Sequence, residues 1–166
     1  MEESLYSDDK QEMYTLLKKQ LKALLEDEHH VLPNLSNAAA LLNGALRNVN
    51  WVGFYLRFQE ELLLGPFQGK PACVHIAWGK GVCGTAGALN ATQVVSDVHQ
   101  FPGHIACDCA SRSEMVVPLR RDGMVIGVLD IDSPLPANFD AVDAENLEEF
   151  ARILEQSCDW NEWHFT

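Results

Sequence analysis

One stretch of this sequence decides the fold: Glu114-Met-Val-Val-Pro-Leu-Arg-Arg-Asp-Gly-Met-Val-Ile-Gly-Val-Leu-Asp-Ile-Asp132. Two apolar runs, Glu114 to Arg120 and Met124 to Ile131, stand on either side of Asp122-Gly123. Asp-Gly suits the tightest β-hairpin turn, because both central residues of that turn adopt a positive φ. We therefore predict two antiparallel strands joined at this dipeptide.

Three carboxylates stand at the ends of the predicted hairpin. Asp130 and Asp132 are two residues apart on one strand, so their side chains share a face, although aspartate is uncommon in strands. Glu114 begins the neighbouring strand and would lie near the same rim. Adjacent carboxylates raise one another's pKa, which keeps one of them protonated and able to donate a proton. Two interpretations stay open: an acidic site, or a strand end that caps the turn before Pro134.

A polar loop with Gly and Pro precedes the hairpin: Phe101-Pro-Gly-His-Ile-Ala-Cys107-Asp-Cys109-Ala-Ser-Arg-Ser-Glu114. Cys107 has polar neighbours, which suit a reactive thiolate, but a small buried hydrophobe is an equally common role for a free cysteine. Cys158 falls on the apolar stripe of a predicted helix, and we expect it to be a core residue. The five cysteines are Cys73, Cys83, Cys107, Cys109 and Cys158.

A zinc site is the main alternative role for these thiols. Structural zinc sites usually contain paired ligands at short spacing such as C-x2-C, and Cys107-x-Cys109 is one residue short of that spacing. The glycines at 79, 81 and 84 do not match a phosphate-binding or dinucleotide-binding pattern. We therefore expect neither a metal nor a cofactor.

The remaining patterns predict helices and further strands around the hairpin. Apolar residues at helical spacing predict helices from Lys10 to about Glu28, from Asn34 or Ser36 to about Asn48, and from an Asp140 N-cap onward. Pro33 is expected to separate the first two, and a short helix is expected to end at Leu89. Alternating or apolar runs predict strands at Trp51–Phe58, Leu62–Phe67, Ala72–Trp78 and Gln93–Ser96. This order is typical of one α+β domain over residues 1–166, with helices packed on an antiparallel sheet.

The first predicted strand carries two aromatic residues that could belong to a site. Trp51 and Tyr55 are four residues apart and therefore share a face. They could form an aromatic wall for a cationic or sulfur-containing ligand. Ordinary core aromatics fit the same pattern.

Composition limits the partners and the cellular location. The 166 residues carry 12 basic and 24 acidic side chains, a formal net charge of −12, which disfavours nucleic acid and anionic membranes as partners. We see no signal peptide and no apolar run of membrane-spanning length. We therefore expect a cytoplasmic protein whose cysteines are reduced at rest.

At these residues the sequence resembles the GAF-domain free methionine-(R)-sulfoxide reductases, most closely from Asn50 to Pro134. Cys109 and Cys158 belong to no motif of that family. The matching pieces are Asn-Trp-Val-Gly-Phe-Tyr55, Gly-Pro-Phe-Gln-Gly69, Ala-Cys73, Gly-Val-Cys83-Gly, Phe-Pro-Gly-His-Ile-Ala-Cys107-Asp, Ser-Arg-Ser-Glu114 and Gly-Val-Leu-Asp-Ile-Asp132-Ser.

The resemblance implies a fold and an activity. The fold would be a GAF-like, six-stranded antiparallel sheet flanked by helices, usually in a homodimer. The activity would be reduction of free L-methionine-(R)-sulfoxide, with thioredoxin as the external reductant. A non-catalytic GAF module that senses a small molecule is the alternative.

The resemblance also implies roles for single residues. Cys107 would be the nucleophile, Cys83 the resolving thiol and Cys73 an auxiliary thiol. Cys109 leaves open which disulfide forms. The residues implied to bind substrate are Trp51, Tyr55, Glu114, Asp130 and Asp132.

Overall fold

A computed structural model describes residues 5–104 and 109–163. Single 3-10 turns lie at Val98–Gln100 and Trp160–Glu162. The helices are α1 (Lys10–Leu24), α2 (Val31–Ala45), α3 (Gly81–Leu89) and α4 (Ala141–Ser157). The strands are β1 (Trp51–Phe58), β2 (Glu61–Gly69), β3 (His75–Ala77), β4 (Gln93–Val95), β5 (Ser113–Arg121) and β6 (Met124–Ser133).

The strands form one six-stranded sheet in the order β3-β2-β1-β6-β5-β4. Every neighbouring pair is antiparallel. This arrangement confirms the predicted α+β class and the six-stranded antiparallel sheet. The two central strands, β1 and β6, are far apart in sequence, so their pairing could not be read from the pattern of either strand.

The β5–β6 hairpin forms as predicted. Its turn residues, Asp122 and Gly123, have φ values of 51° and 77°, the left-handed pair that a type I′ turn requires. Arg121 pairs with Met124 on either side of the turn. The turn sets the pairing of the residues next to it, and a register shift between Leu119 and Arg120 then brings Glu114 opposite Asp132 at the far end.

The two faces of the sheet have different coverings. On one, the helix face, α1, α2 and α4 pack against apolar strand residues in a continuous core. On the other, the pocket face, α3 and the connecting loops cover a smaller cluster. The strand residues of the helix face are Val52, Phe54, Leu56, Met115, Val117, Leu119, Ile126, Leu129 and Ile131. Those of the pocket face include Trp51, Tyr55, Leu62, Ile76, Glu114, Val116, Val128, Asp130 and Asp132.

Two predicted boundaries are wrong. Helix α2 starts at Val31 and contains Pro33 in its first turn, where the missing proline N–H has no helical partner to lose. The third strand is confined to His75–Ala77, and the residues before it form a loop. Cys158, the C-cap of α4, is buried in the helix-face core as expected. None of the helices in the described part of the chain has the length and apolar character that crossing a membrane requires.

Candidate functional site

The pairing of three strands brings the predicted acidic residues beside the aromatic wall. Trp51 on β1 lies opposite Asp132 on β6, which lies opposite Glu114 on β5. Asp130, two residues earlier on β6, lies opposite Val116 on β5. Because residues paired across a sheet point to the same side, the three carboxylates and the Trp51 ring meet on the pocket face.

Stacked rings form one wall of the pocket. The Trp51 ring lies 5.8 Å from the Tyr55 ring and 5.3 Å from the Phe67 ring, measured between centroids, at interplanar angles of 25° and 15°. Gly53 lies between the two β1 aromatics, and a methyl group there would come within 2.6 Å of the Trp51 ring. The glycine between them thus allows the rings to approach one another.

The polar ends of the two β1 aromatics hold the loop between β2 and β3. Trp51 Nε1 donates a hydrogen bond to the Lys70 carbonyl at 3.1 Å, and Tyr55 Oη donates one to the Cys73 carbonyl at 2.9 Å. Leu64 N–H donates to the Val74 carbonyl at 2.9 Å. These three bonds place Cys73 at the edge of the pocket.

Helix α3 brings Cys83 to the carboxylates. The residue lies in the first turn of the helix and is buried, and its thiol donates to Glu114 Oε1 over 3.9 Å. Gly84 permits the close approach of this turn, because a methyl group there would lie 2.6 Å from the Ala77 carbonyl oxygen. Cys83, Glu114 and Asp130 each offer a ligand atom within 4.8 Å of the others.

Burial favours the protonated forms of Glu114, Asp130 and Cys83 by raising their pKa values. It raises the pKa of Glu114 to about 8, with a further contribution from the charge on Asp132. Burial and the nearby Glu114 charge raise the pKa of Asp130 well above its ordinary value. Burial, Asp130 and Glu114 likewise raise the pKa of the Cys83 thiol. At neutral pH the site therefore contains carboxyl groups that can donate a proton.

These groups bound one pocket, which is partly open to solvent. The lining residues are Trp51, Tyr55, Lys70, Pro71, Ala72, Ile76, Gly81, Val82, Cys83, His104, Ser111, Glu114, Asp130 and Asp132.

Known proteins are similar to this chain over most of its length. The GAF domain family matches residues 27–158. The free methionine-R-sulfoxide reductase of Escherichia coli (strain K12) is 49% identical over 148 residues, which cover 89% of this chain and 90% of that protein.

This chain belongs to the GAF-domain free methionine-(R)-sulfoxide reductase family.

Solved structures of the family have the same fold as this member. The Neisseria meningitidis free methionine-R-sulfoxide reductase, solved in complex with its substrate, is 48% identical with a TM-score of 0.89, covering 95% of each chain. The substrate complex of the Staphylococcus aureus protein fRMsr is 61% identical with a TM-score of 0.83, covering 87% of this chain and 94% of that one.

In this family member, the residues predicted to bind substrate line one pocket. The predicted catalytic cysteines differ in their bonding. Cys107 lies outside the described residues. Cys73 is disulfide-bonded, whereas Cys83, Cys109 and Cys158 are free thiols. The implied disulfide on Cys83 is therefore not the one in this structure. The physical reason is the position of Cys83, since a buried thiol between carboxyl groups is a poor thiolate.

Two ionisable pocket residues of this GAF domain were not predicted. His104 Nε2 lies 3.7 Å from Glu114 Oε2, and burial lowers the pKa of the imidazole. Lys70 also lines the pocket. His104 belongs to the quoted loop before β5, so its place among polar residues was a usable signal. Nothing in the pattern around Lys70 indicated the pocket.

Proposed function

We propose that this protein reduces free L-methionine-(R)-sulfoxide to L-methionine by thiol chemistry. The observation that supports the proposal best is the combination in one pocket of a stacked aromatic wall and buried, protonated carboxyl groups. Relatives of the same family carry that activity in their names. The buried polar groups suit a small polar substrate better than an apolar one.

Glu114 is the proposed proton donor. A sulfoxide sulfur becomes a good electrophile only when its oxygen is protonated or strongly hydrogen-bonded. With a pKa raised to about 8, the Glu114 carboxyl is neutral at pH 7 and close enough to that pH to cycle between its two states. His104, 3.7 Å from Glu114, lies where it could return the proton from solvent.

The remaining carboxylate and the aromatic faces would bind the substrate. Asp132 is only partly buried, and its carboxylate would suit both the substrate ammonium and the positive charge that develops on sulfur. Trp51 and Tyr55 would contact the sulfur and its methyl group. Among described pocket-lining residues, Lys70 is the only lysine or arginine, and we propose that it binds the substrate carboxylate.

Cys107 is the proposed nucleophile, from its place in the family motif. Its thiolate attacks the sulfoxide sulfur, the sulfur gains two electrons, methionine leaves, and Cys107 becomes a sulfenic acid. A second thiol then attacks the sulfenic sulfur, which forms a disulfide and releases the oxygen as water. An external dithiol reduces that disulfide by exchange.

We propose Cys73, rather than Cys83, as this second thiol. Cys73 is already disulfide-bonded, and it lies in a half-buried loop where a reductant can reach it. Cys83 is free and buried among carboxyl groups that raise its pKa, which lowers its nucleophilic fraction. As the family resemblance implies, thioredoxin would be the reductant and the protein a homodimer. The sequence pattern, rather than the resemblance, predicts the cytoplasmic location.

A turnover assay tests the function. The purified chain is given free methionine-(R)-sulfoxide, free methionine-(S)-sulfoxide and a peptide-bound sulfoxide, with dithiothreitol as reductant. We expect methionine to form from the free (R) epimer alone. Saturable binding of a small molecule without turnover would instead favour the sensory GAF module, and equal turnover of the peptide would contradict an enclosed site for the free amino acid.

The cysteine roles need a second assay with single variants. Cys107→Ser should abolish turnover with either reductant, whereas Cys73→Ser should slow recycling by thioredoxin far more than turnover with dithiothreitol. Cys109→Ser, at an exposed cysteine, is the matched control and should behave like the parent protein. If Cys83→Ser impairs thioredoxin recycling more than Cys73→Ser does, the assignment of the second thiol is wrong.

A further inference from the structure

The cluster of Cys83, Glu114 and Asp130 has the composition of a metal site. One sulfur and two carboxylate oxygens lie within 4.8 Å of one another, and all three residues are buried. Neither carboxyl group pairs with a lysine or arginine among residues 5–104 and 109–163. Three buried groups that can all become anions, with no lysine or arginine beside them in the described residues, are costly to bury in their ionised forms.

A second observation points to a ligand at the same place. Asp130 is 6% exposed and lines the pocket, and its Oδ1 atom has no hydrogen-bond partner within the described part of the chain. Buried carboxylate oxygens are nearly always bonded. An unpartnered oxygen on a side chain that clusters with a thiol and a second carboxyl group is an acceptor that a cation can satisfy.

We propose that Cys83, Glu114 and Asp130 bind a divalent cation of the zinc type. The sulfur ligand favours zinc over magnesium or calcium, which prefer six or more oxygens. At tetrahedral zinc, sulfur and oxygen ligands at their usual bond lengths lie about 3.5 Å apart. The Cys83 sulfur is 3.9 Å from Glu114 Oε1, so a small contraction completes that edge of the site.

Binding is a ligand exchange without oxidation or reduction. The cation forms bonds to sulfur and to one oxygen of each carboxylate, and the protons held by those groups pass to solvent. His104 Nε2, 3.7 Å from Glu114 Oε2, lines the same pocket and is the candidate for the fourth position, which water would otherwise fill.

The consequence for activity rests on the proposed function, but binding itself does not. A cation at this place would use Glu114, the proposed proton donor, and would occupy the acidic end of the pocket. Zn²⁺ should therefore inhibit turnover in competition with the sulfoxide, and a chelator should restore it.

The disulfide form of the full chain allows a test that needs no substrate. In that form Cys73 is already bonded, so the described free thiols are Cys83, Cys109 and Cys158. Co²⁺ is titrated into the metal-free protein as a spectroscopic substitute for Zn²⁺. We expect one equivalent to bind with a sulfur-to-cobalt charge-transfer band, which Zn²⁺ then removes.

Variants decide whether the band comes from this site. Cys83→Ser should lose the band, and Cys109→Ser, the control at an exposed cysteine, should keep it. A band that survives Cys83→Ser, or the absence of saturable binding in the parent protein, would overturn the proposal.

A measurement of stability covers the case in which Cys83→Ser fails to fold. Zn²⁺ should raise the thermal midpoint of the parent protein, because a ligand that binds only the folded state stabilises it. Asp130→Asn keeps the shape of the side chain and should weaken Zn²⁺ binding by roughly 10- to 100-fold or more. An equal midpoint rise in parent and Asp130→Asn would contradict the site.

Discussion

The two faces of the sheet are made by alternate residues of the same strands, yet they bury different chemistry. On β5, Met115 and Val117 are fully buried in the helix-face core, while their neighbour Glu114 is buried on the pocket face. On β6, Leu129 lies beside Asp130 in the same way. An apolar face can thus hold the strands in place while the opposite face buries ionisable groups.

Two buried aspartates, Asp143 and Asp130, differ in how fully their carboxylate oxygens are hydrogen-bonded. Asp143, in the first turn of α4, accepts hydrogen bonds from Tyr14 Oη at 2.7 Å and from Lys10 Nζ at 2.6 Å, and from the Asp140 N–H. Asp130 on the pocket face leaves its Oδ1 unpartnered among the described residues. A buried carboxylate with its partners in place supports the structure, whereas one without them is available to a ligand.

The largest effect should come from removing the proposed proton donor. Glu114→Gln keeps the size of the side chain but cannot protonate the sulfoxide oxygen. General-acid catalysis is worth about 10²- to 10⁴-fold, so turnover of free methionine-(R)-sulfoxide should fall by that factor, measured as kcat/KM. A loss below about fivefold would remove Glu114 from the proposed mechanism.

The matched control is the same change on the opposite side of the sheet. Glu155 on α4 is a half-buried carboxyl group that accepts the Arg120 N–H at 2.8 Å. Glu155→Gln should leave kcat/KM unchanged. An equal loss in both variants would mean that the assay reports general damage to the fold.

The next effect concerns the helix face alone. Phe150 is fully buried in its core, and Phe150→Ala leaves a cavity that should lower the free energy of unfolding by about 3–5 kcal/mol. Chemical denaturation measures the change. The kcat per folded molecule at low temperature should stay near the parent value, because no pocket-lining side chain is altered. A loss of kcat in fully folded protein would contradict the idea that the helix-face core stabilises the fold without taking part in catalysis.

Local patterns predicted most of the framework. The Asp122-Gly123 turn and alternation in the flanking strands were enough to place Asp130 and Asp132 on one face. Asp140 was predicted as the N-cap of α4, and it accepts hydrogen bonds from the Val142 and Asp143 N–H groups. These features depend on neighbours in sequence, which is why they could be read directly.

The rest of the site depends on contacts between distant segments. His104 meets Glu114 only after the loop folds over the sheet, and Lys70 reaches the pocket because Trp51 binds its carbonyl. The choice between Cys73 and Cys83 depends on burial, which spacing does not reveal. Pro33 was expected to separate two helices. From sequence alone, a proline in the first turn of a helix cannot be distinguished from a proline in the loop before it.

The pH dependence of stability should show how much the burial of Glu114 on the pocket face lowers the free energy of unfolding. The pKa of Glu114 is raised from 4.5 to about 8 in the folded protein. Between these values the unfolded chain has lost the proton that the folded protein keeps, so stability falls as pH rises through this window. Each pKa unit corresponds to about 1.4 kcal/mol, and we expect a total of a few kcal/mol.

Denaturation of metal-free protein at pH 5 and pH 8 measures this effect. Glu114→Gln has no such titration, so its stability relative to the parent should increase from pH 5 to pH 8. Asp130, whose pKa is also raised, acts in the same direction and remains in both proteins. A parent protein whose stability rises relative to the variant over this range would contradict the protonated state of Glu114.

The smallest expected effect is a difference in stability between two variants, Asp143→Asn and Asp130→Asn. Asp143→Asn weakens the bonds to Lys10 and Tyr14 and should lower the free energy of unfolding by about 1–3 kcal/mol. Asp130→Asn makes the same chemical change at a residue whose Oδ1 has no partner among the described residues. It should leave stability unchanged or raise it, since it removes a group whose ionisation opposes folding. Both are measured by denaturation at pH 8 in the presence of a chelator. If Asp130→Asn destabilises as much as Asp143→Asn, then Asp130 Oδ1 has a structural partner in solution, and burying Asp130 costs no more stability than burying Asp143.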